Sequence, residues 1–303
     1  MTSPIVVVTG ANGLVGSHVV AALGERGATV RAVVRRVGAA PDVPGVEEHV
    51  GDFADPVFAE TVVAGADALV TTVHPLGGDH DAQRRVGLDG TLVIATAAAD
   101  AGVPLLVHVS TAAVYDRSPA AGDVSEDSAL VDDDAGDYPV IKRDVDAALD
   151  RLEGLTRVLL RPPAILGQGE SSVWNSVRPA QVRDAESERH AQPDKSFAWV
   201  HVTDLAALAA DLATGAIAVS TDPASGPVRG ECTPVNVASE SATQRDYLGT
   251  VTRALGVEPV WEGGDAWTGQ IRADRAKSWG WAPKVSLADA LAELEEGLEA
   301  HDV

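Results

Sequence analysis

The sequence predicts an α/β fold, a doubly wound parallel sheet with a smaller C-terminal lobe. Two observations carry this prediction. Short runs rich in Val and Ile alternate with stretches of helical length through the first half of the chain, as in parallel strands joined by crossover helices. A glycine-rich turn also stands directly between the first apolar run and the first helical stretch. At 303 residues, the chain can hold one large core with a smaller partner.

Residues 5–8 form the first strand and 13–26 the first helix, with Thr-Gly-Ala-Asn-Gly-Leu-Val-Gly at 9–16 joining them. Gly10 permits a sharp turn, Gly13 lets the backbone approach a pyrophosphate, and Gly16 lets the helix press on the strand. The unpaired N–H groups and dipole of the helix N-terminus favour that anion. Asn12, Leu14 and Val15 join the three glycines as candidate contacts. The spacing is G-x-x-G-x-x-G where the dinucleotide fingerprint is G-x-G-x-x-G, but strand, turn and helix are those of a Rossmann unit.

Residues 29–34 form the second strand, followed by Arg35-Arg36 with no Asp or Glu in reach. A carboxylate at this point would bind ribose hydroxyls, whereas arginines accommodate a 2′-phosphate. NADP(H) is therefore the favoured cofactor and NAD(H) the alternative. The third strand, 46–50, closes with Gly51-Asp52-Phe53, where Asp52 is placed to receive an adenine amine and Phe53 to lie beside the ring. A helix follows at 56–64. The fourth strand, 68–73, carries Thr71, Thr72 and Val73 at its carboxyl edge, followed by His74. Ligands of open parallel sheets bind outside the carboxyl ends of strands, so these side chains are expected to face cofactor or substrate. Gly77-Gly78 then turns the chain into a helix over 81–101.

The fifth strand, 105–110, runs into Ser110-Thr111-Ala112-Ala113-Val114-Tyr115, and after an acidic loop Tyr138-Pro139-Val140-Ile141-Lys142 opens a helix to about 152. Tyr138 and Lys142 share one helical face if the tyrosine lies on the first turn. Pro139 places Tyr138 at the helix boundary. A free phenol has a pKa of about 10, which a nearby ammonium and an oxidised nicotinamide would lower. The sixth strand, 156–160, leads into Arg161-Pro162-Pro163-Ala164-Ile165.

From 168 to 196 the pattern turns irregular and is read as part of a substrate cap. Residues 199–206 make a short strand and a helix start with Thr203 as N-cap. Residues 235–238, a helix over 243–255 and an acidic helix over 287–298 complete the lobe. The expected division is a Rossmann domain of 1–166, with 197–222 returning to the sheet, and a substrate-binding lobe of 167–196 and 223–303. His74, Tyr115, Trp174 and Trp199 are the candidates for substrate contact.

A formal charge of -22 disfavours nucleic acid and anionic membrane as partners. No charge-free stretch is long enough to span a bilayer and residues 1–4 carry no basic leader, so the cytoplasm is the expected location. Cys232 is the single cysteine, and the eight histidines show no ligand spacing, so no metal is expected.

Taken together, TGANGLVG at 9–16, GDF at 51–53, STAAVYD at 110–116, YPVIK at 138–142, LRPPAILG at 160–167, VHVTDLA at 200–206 and WGWAPKVSLADAL at 279–291 resemble the extended short-chain dehydrogenase/reductase family, of the NAD-dependent epimerase/dehydratase-like group. The resemblance implies that Thr111 hydrogen-bonds the reacting oxygen and that Tyr138 is the general acid-base. It further implies that Lys142 holds the nicotinamide ribose and that Ser110, Pro162 and Ile165 lie against the cofactor. Tyr115 is the rival tyrosine, but Pro119 stands where its lysine would be. Dehydratases of the family follow the threonine with Asp-Glu, and this chain has Ala112-Ala113. Nucleotide-sugar epimerases commonly carry an Asn in the segment matched by Pro163-Ala164. The expected activity is NAD(P)-dependent reduction of a small carbonyl, or oxidation of a secondary alcohol. The alternatives are a sugar or sugar-nucleotide epimerase with transient oxidation by bound cofactor, and a non-catalytic NADP-sensing regulator. Family members often dimerise through the helices matched by 81–101 and 139–152, so a homodimer is an expectation.

Overall fold

The computed structural model describes residues 3–73 and 80–301. His74 and the Gly77-Gly78 turn lie outside the described residues. The strands are β1 (Ile5–Thr9), β2 (Thr29–Val34), β3 (Val46–Val50), β4 (Ala68–Thr71), β5 (Leu105–Val109), β6 (Thr156–Arg161), β7 (Ala164–Leu166), β8 (His190–Ala191), β9 (Trp199–His201), β10 (Cys232–Asn236) and β11 (Val260–Trp261). The α-helices are α1 (Leu14–Glu25), α2 (Pro56–Val63), α3 (His80–Arg84), α4 (Thr91–Asp100), α5 (Asp137–Asp150), α6 (Arg178–Asp184), α7 (Val202–Ala213), α8 (Gln244–Ala254), α9 (Asp274–Ser278) and α10 (Leu287–His301).

Seven strands form one sheet in the order β10-β6-β5-β4-β1-β2-β3, every pairing parallel. Strand order reverses between β1 and β4, which opens a crevice at their carboxyl ends. Successive side chains serve opposite faces: Val6 and Val8 join one core with α1 and α7, and Val7 joins the other with α2, α4 and α5. Burial on both faces explains why the central strands β1, β4 and β5 read as largely apolar runs.

Several expectations change. β10 pairs with β6 inside the main sheet, and Ala276, Trp279 and Trp281 join its core, so 223–303 are not wholly a separate lobe. Conversely, β9 pairs with β7 in a two-stranded sheet of its own, so 197–222 return to the main body through Val200, α7 and Ile217 and not as a strand of the main sheet. Helix α7 is capped by His201, whose Nδ1 accepts from the Thr203 amide at 3.3 Å, so Thr203 is not the cap. The helix expected over 81–101 is interrupted by a wide π turn at Arg85–Gly90. A Cβ at Gly90 would stand 2.9 Å from the Phe53 ring.

The two motifs beyond residue 200 form one joint. Asp204 accepts from the amides of Lys284 and Val285 at 3.0 and 3.1 Å, and the Trp281 indole donates to the Asp204 carbonyl at 3.0 Å. This fastens the C-terminal segment to α7. The remaining lobe has its own core of Val182, Tyr247, Leu248, Val251 and Leu294 around Phe197 and Trp199.

Candidate active site

The glycine turn is built as its sequence requires. Gly10 has φ 68°, where a Cβ is strained, and the Gly13 amide donates to the Gly10 carbonyl at 3.0 Å. A Cβ on Gly16 would collide with that same carbonyl. The Thr72 hydroxyl donates to the Thr9 carbonyl at 2.8 Å, tying the end of β4 to the turn. A cavity of about 440 Å³ runs from Gly13, Leu14, Val15 and Gly16 past Thr72 and Ser110 to Tyr138 and Lys142. Ile165 and Trp174 also line it. A bare, crowded turn at a helix N-terminus, continuous with a cavity of this size, fits a dinucleotide. Farther along, Asn12, Arg35 and Arg36 line a recess of about 410 Å³.

Gly136, at φ 92°, starts α5 and puts Tyr138 on its first turn. There Pro139 displaces no hydrogen bond that the helix needs. Tyr138 lines the cofactor-sized cavity and also a second one of about 400 Å³ with Thr111, Ala113, Trp174, Phe197 and Trp267, so it stands on the wall they share. Thr111 accepts the Ala113 amide at 3.1 Å, which leaves its own proton for an oxygen in that cavity. Thr111 is also the phenol's hydrogen-bonding neighbour.

The phenol's electrostatics differ from expectation. The protein around the phenol raises the Tyr138 pKa above its ordinary value although the residue is 37% exposed, with the Thr111 hydrogen bond and then the Arg117 cation acting in the other direction. Lys142 is not what lowers it. Its ammonium points inward, donating to the Val109 carbonyl at 3.2 Å, and burial brings its pKa down to about 8 against the charge of Asp146. Before cofactor binds, the tyrosine is therefore an acid that holds its proton at neutral pH.

Other candidates fall away from the cavities. Thr71 is buried, its hydroxyl 2.7 Å from Nδ1 of buried His108, so it braces β4 against β5 and does not face the cofactor. The Phe53 ring is in the core beneath α4, so only its backbone is available to an adenine. Asp52 accepts the Ala54 amide at 2.9 Å at the surface. Pro162 is buried and its carbonyl accepts from the Ala112 amide, while Pro163 lines both cavities in its place. Tyr115 is fully enclosed: its hydroxyl donates to Asn236 and accepts from Arg161, each at 2.8 Å, so it is no substrate contact. Trp199 is likewise buried in the lobe core. Trp174 does line both cavities, edge-on to Phe197 and Tyr247.

Sequence reasoning missed Ser171, whose hydroxyl accepts the first helical amide of α1, that of Leu14, at 3.1 Å. It also missed Arg117, Lys195 and Gln244 in the second cavity. None has a local signature: Arg117 follows Thr111 in a loop, Gln244 opens α8, and Ser171 and Lys195 come from loops farther along the chain. Among the described residues, no cluster of His, Cys, Asp or Glu converges as a metal site, and no helix is long and apolar enough to cross a membrane.

Fold and cradle together define a protein of the Rossmann class built to bind a nicotinamide dinucleotide. The NAD(P)H-binding family model matches residues 10–214, and the chain belongs to that family. Relatives include a sterol demethylase protein B of Methylococcus capsulatus, 31% identical over 53% of this chain and 51% of that protein. Another is a 2-alkyl-3-oxoalkanoate reductase of Stenotrophomonas maltophilia, 31% identical over 55% of this chain and 53% of that protein. The matched stretch thus spans about half the length of these relatives, 51% and 53%. In structure, the chain resembles the NAD complex of Bordetella bronchiseptica WbmG, with TM-score 0.75 and 19% identity over 99% of this chain and 95% of that one. It also resembles a UDP-glucose 4-epimerase from Thermotoga maritima, again with TM-score 0.75 and 19% identity, over 99% and 100% of the two chains.

Proposed function

We propose that this chain is an NADP(H)-dependent reductase of a small carbonyl compound, with Tyr138 as general acid, Thr111 orienting the reacting oxygen and Lys142 holding the nicotinamide ribose. One observation supports it above the others: Tyr138 stands on the wall between the dinucleotide cavity and a second cavity of substrate size. A bound reduced nicotinamide supplies the hydride. The protein's part is to hold a carbonyl oxygen between the Thr111 hydroxyl and the phenol, and to deliver the phenol's proton as charge grows on that oxygen. A raised Tyr138 pKa suits the donor role. Two relatives that are reductases by name act on oxo compounds, which favours the same direction. Ketone and 3-oxo acid panels with excess NADPH should show loss of the reduced cofactor's absorbance in proportion to alcohol formed. Substrate interconversion without any net absorbance change would reject the reductase.

The preference for NADP(H) rests on Arg35 and Arg36 lining the recess beside Asn12. Replacing both with alanine should weaken NADPH binding by roughly tenfold or more, the scale of a lost charge-assisted hydrogen bond, and leave NADH binding nearly unchanged. Calorimetric titration with each cofactor reads this directly, and equal affinities in the parent protein would remove the preference.

A further inference from the structure

The second cavity has a charge character opposite to that of the chain. The protein carries 45 Asp and Glu against 23 Lys and Arg. Yet the wall beyond Thr111 and Tyr138 holds two cations, Arg117 and Lys195, and no carboxylate. Several arginines elsewhere are paired, as in Arg26 with Asp211, Arg161 with Asp146 and Arg253 with Glu295. Among the described residues, neither Arg117 nor Lys195 has a carboxylate oxygen within 4.0 Å.

The arginine's charged group and the lysine's backbone are both held. The Arg117 guanidinium lies over the Trp267 ring, 5.7 Å from its centroid. Trp267 is itself buried and anchored by its indole N–H, which donates to the Gly122 carbonyl at 2.7 Å. The backbone of Lys195 is held at both ends, donating to the Gln192 carbonyl at 3.2 Å and accepting from the Gln244 amide at 2.9 Å. The surrounding protein lowers the Arg117 pKa although the residue is exposed. A cation with no carboxylate partner can gain a charge-assisted hydrogen bond from a bound anion.

We propose that the substrate of this site carries an anionic group, a carboxylate or a phosphate ester, held by Arg117 and Lys195 while its carbonyl lies against Thr111 and Tyr138. This rests on the reductase reading only in taking the second cavity as the substrate site. A singly or doubly charged head at one end and a carbonyl at the other fix the substrate at two points. Neutral ketones, held at one point, would be poorer substrates.

The test is a calorimetric titration of the NADPH-saturated protein with hexanoate, hexyl phosphate and hexanol, repeated on R117Q, K195Q and the double variant. The two anions should bind roughly tenfold or more tighter than hexanol, the increment of one hydrogen bond between charged groups. Each single variant should reduce that preference, the double variant should abolish it, and the tighter anion of the two identifies the head group. Equal binding of hexanol and the anions, or a full preference surviving in the double variant, overturns the proposal. Steady-state rates with 3-oxohexanoate and its methyl ester separate the two readings. Arginine-dependent binding of hexanoate with no reduction of any carbonyl keeps the anion site and removes the reductase. Reduction of the ester as readily as the acid, with no anion preference in binding, does the reverse.

Discussion

A Tyr138→Phe variant is expected to bind NADPH like the parent and to lose roughly 10²-fold or more in turnover, the usual scale for removing a positioned general acid. The aromatic body stays, so the wall between the cavities keeps its shape, and only the proton is withdrawn. Single-turnover rates and a cofactor titration read the two halves of the expectation. Normal turnover would take the acid's role away from Tyr138. The pH dependence has a definite sign. With the Tyr138 pKa raised above its ordinary value, the phenol remains protonated through the neutral range. The first group to change charge on the alkaline side is Lys142, at about 8. Reduction by the parent should therefore be level below pH about 8 and fall above it, as the ammonium that would hold the ribose hydroxyls loses its proton. A profile that instead stays level to the pKa of a raised phenol would detach Lys142 from the reaction.

Much of this was legible in the sequence, and what was not has a common physical cause. The glycine turn, the strand ends and the Tyr138–Lys142 face are set by local chain geometry, where spacing decides which atoms meet. The central strands of the main sheet could be read because burial on both faces leaves largely apolar runs. Direction within an alternating strand was not so readable. Thr71 and Thr72 are neighbours with similar side chains, yet one is turned to His108 and the other to the glycine turn. The two tyrosines at 115 and 138 lie outside the strands and are told apart by packing. Only tertiary packing reveals that Tyr115 is held by Asn236 and Arg161, the former 121 residues away. β10 was misassigned because nothing in Cys-Thr-Pro-Val-Asn marks it as the partner of β6. Arg117 and Lys195 share a cavity only after the lobe has folded back over the sheet's edge.

Asp146→Ala should destabilise the protein by about 3–5 kcal/mol, because it strands a buried guanidinium. The Asp146 carboxylate accepts from Arg161 Nε at 2.9 Å, with both side chains under a tenth exposed. Arg161 also donates to the Tyr115 hydroxyl and stacks on its ring at 5.0 Å, so the pair holds the loop after β5 against β6. A domain's whole stability is only about 5–15 kcal/mol, so denaturant midpoints should fall far. The double variant D146L/R161M should recover much of the loss, since apolar side chains of similar volume commonly replace a buried ion pair without penalty. Failure of the single variant to destabilise would show that water reaches Arg161. The same carboxylate also acts on chemistry. Lys142, Asp146 and Tyr138 lie at intervals of one helical turn along α5. The Asp146 charge opposes the burial that lowers the Lys142 pKa. D146L/R161M, folded but without that charge, should therefore let the Lys142 pKa fall below about 8. The alkaline limb of the reduction profile should move to lower pH with it, whereas a purely structural pair would leave the limb in place.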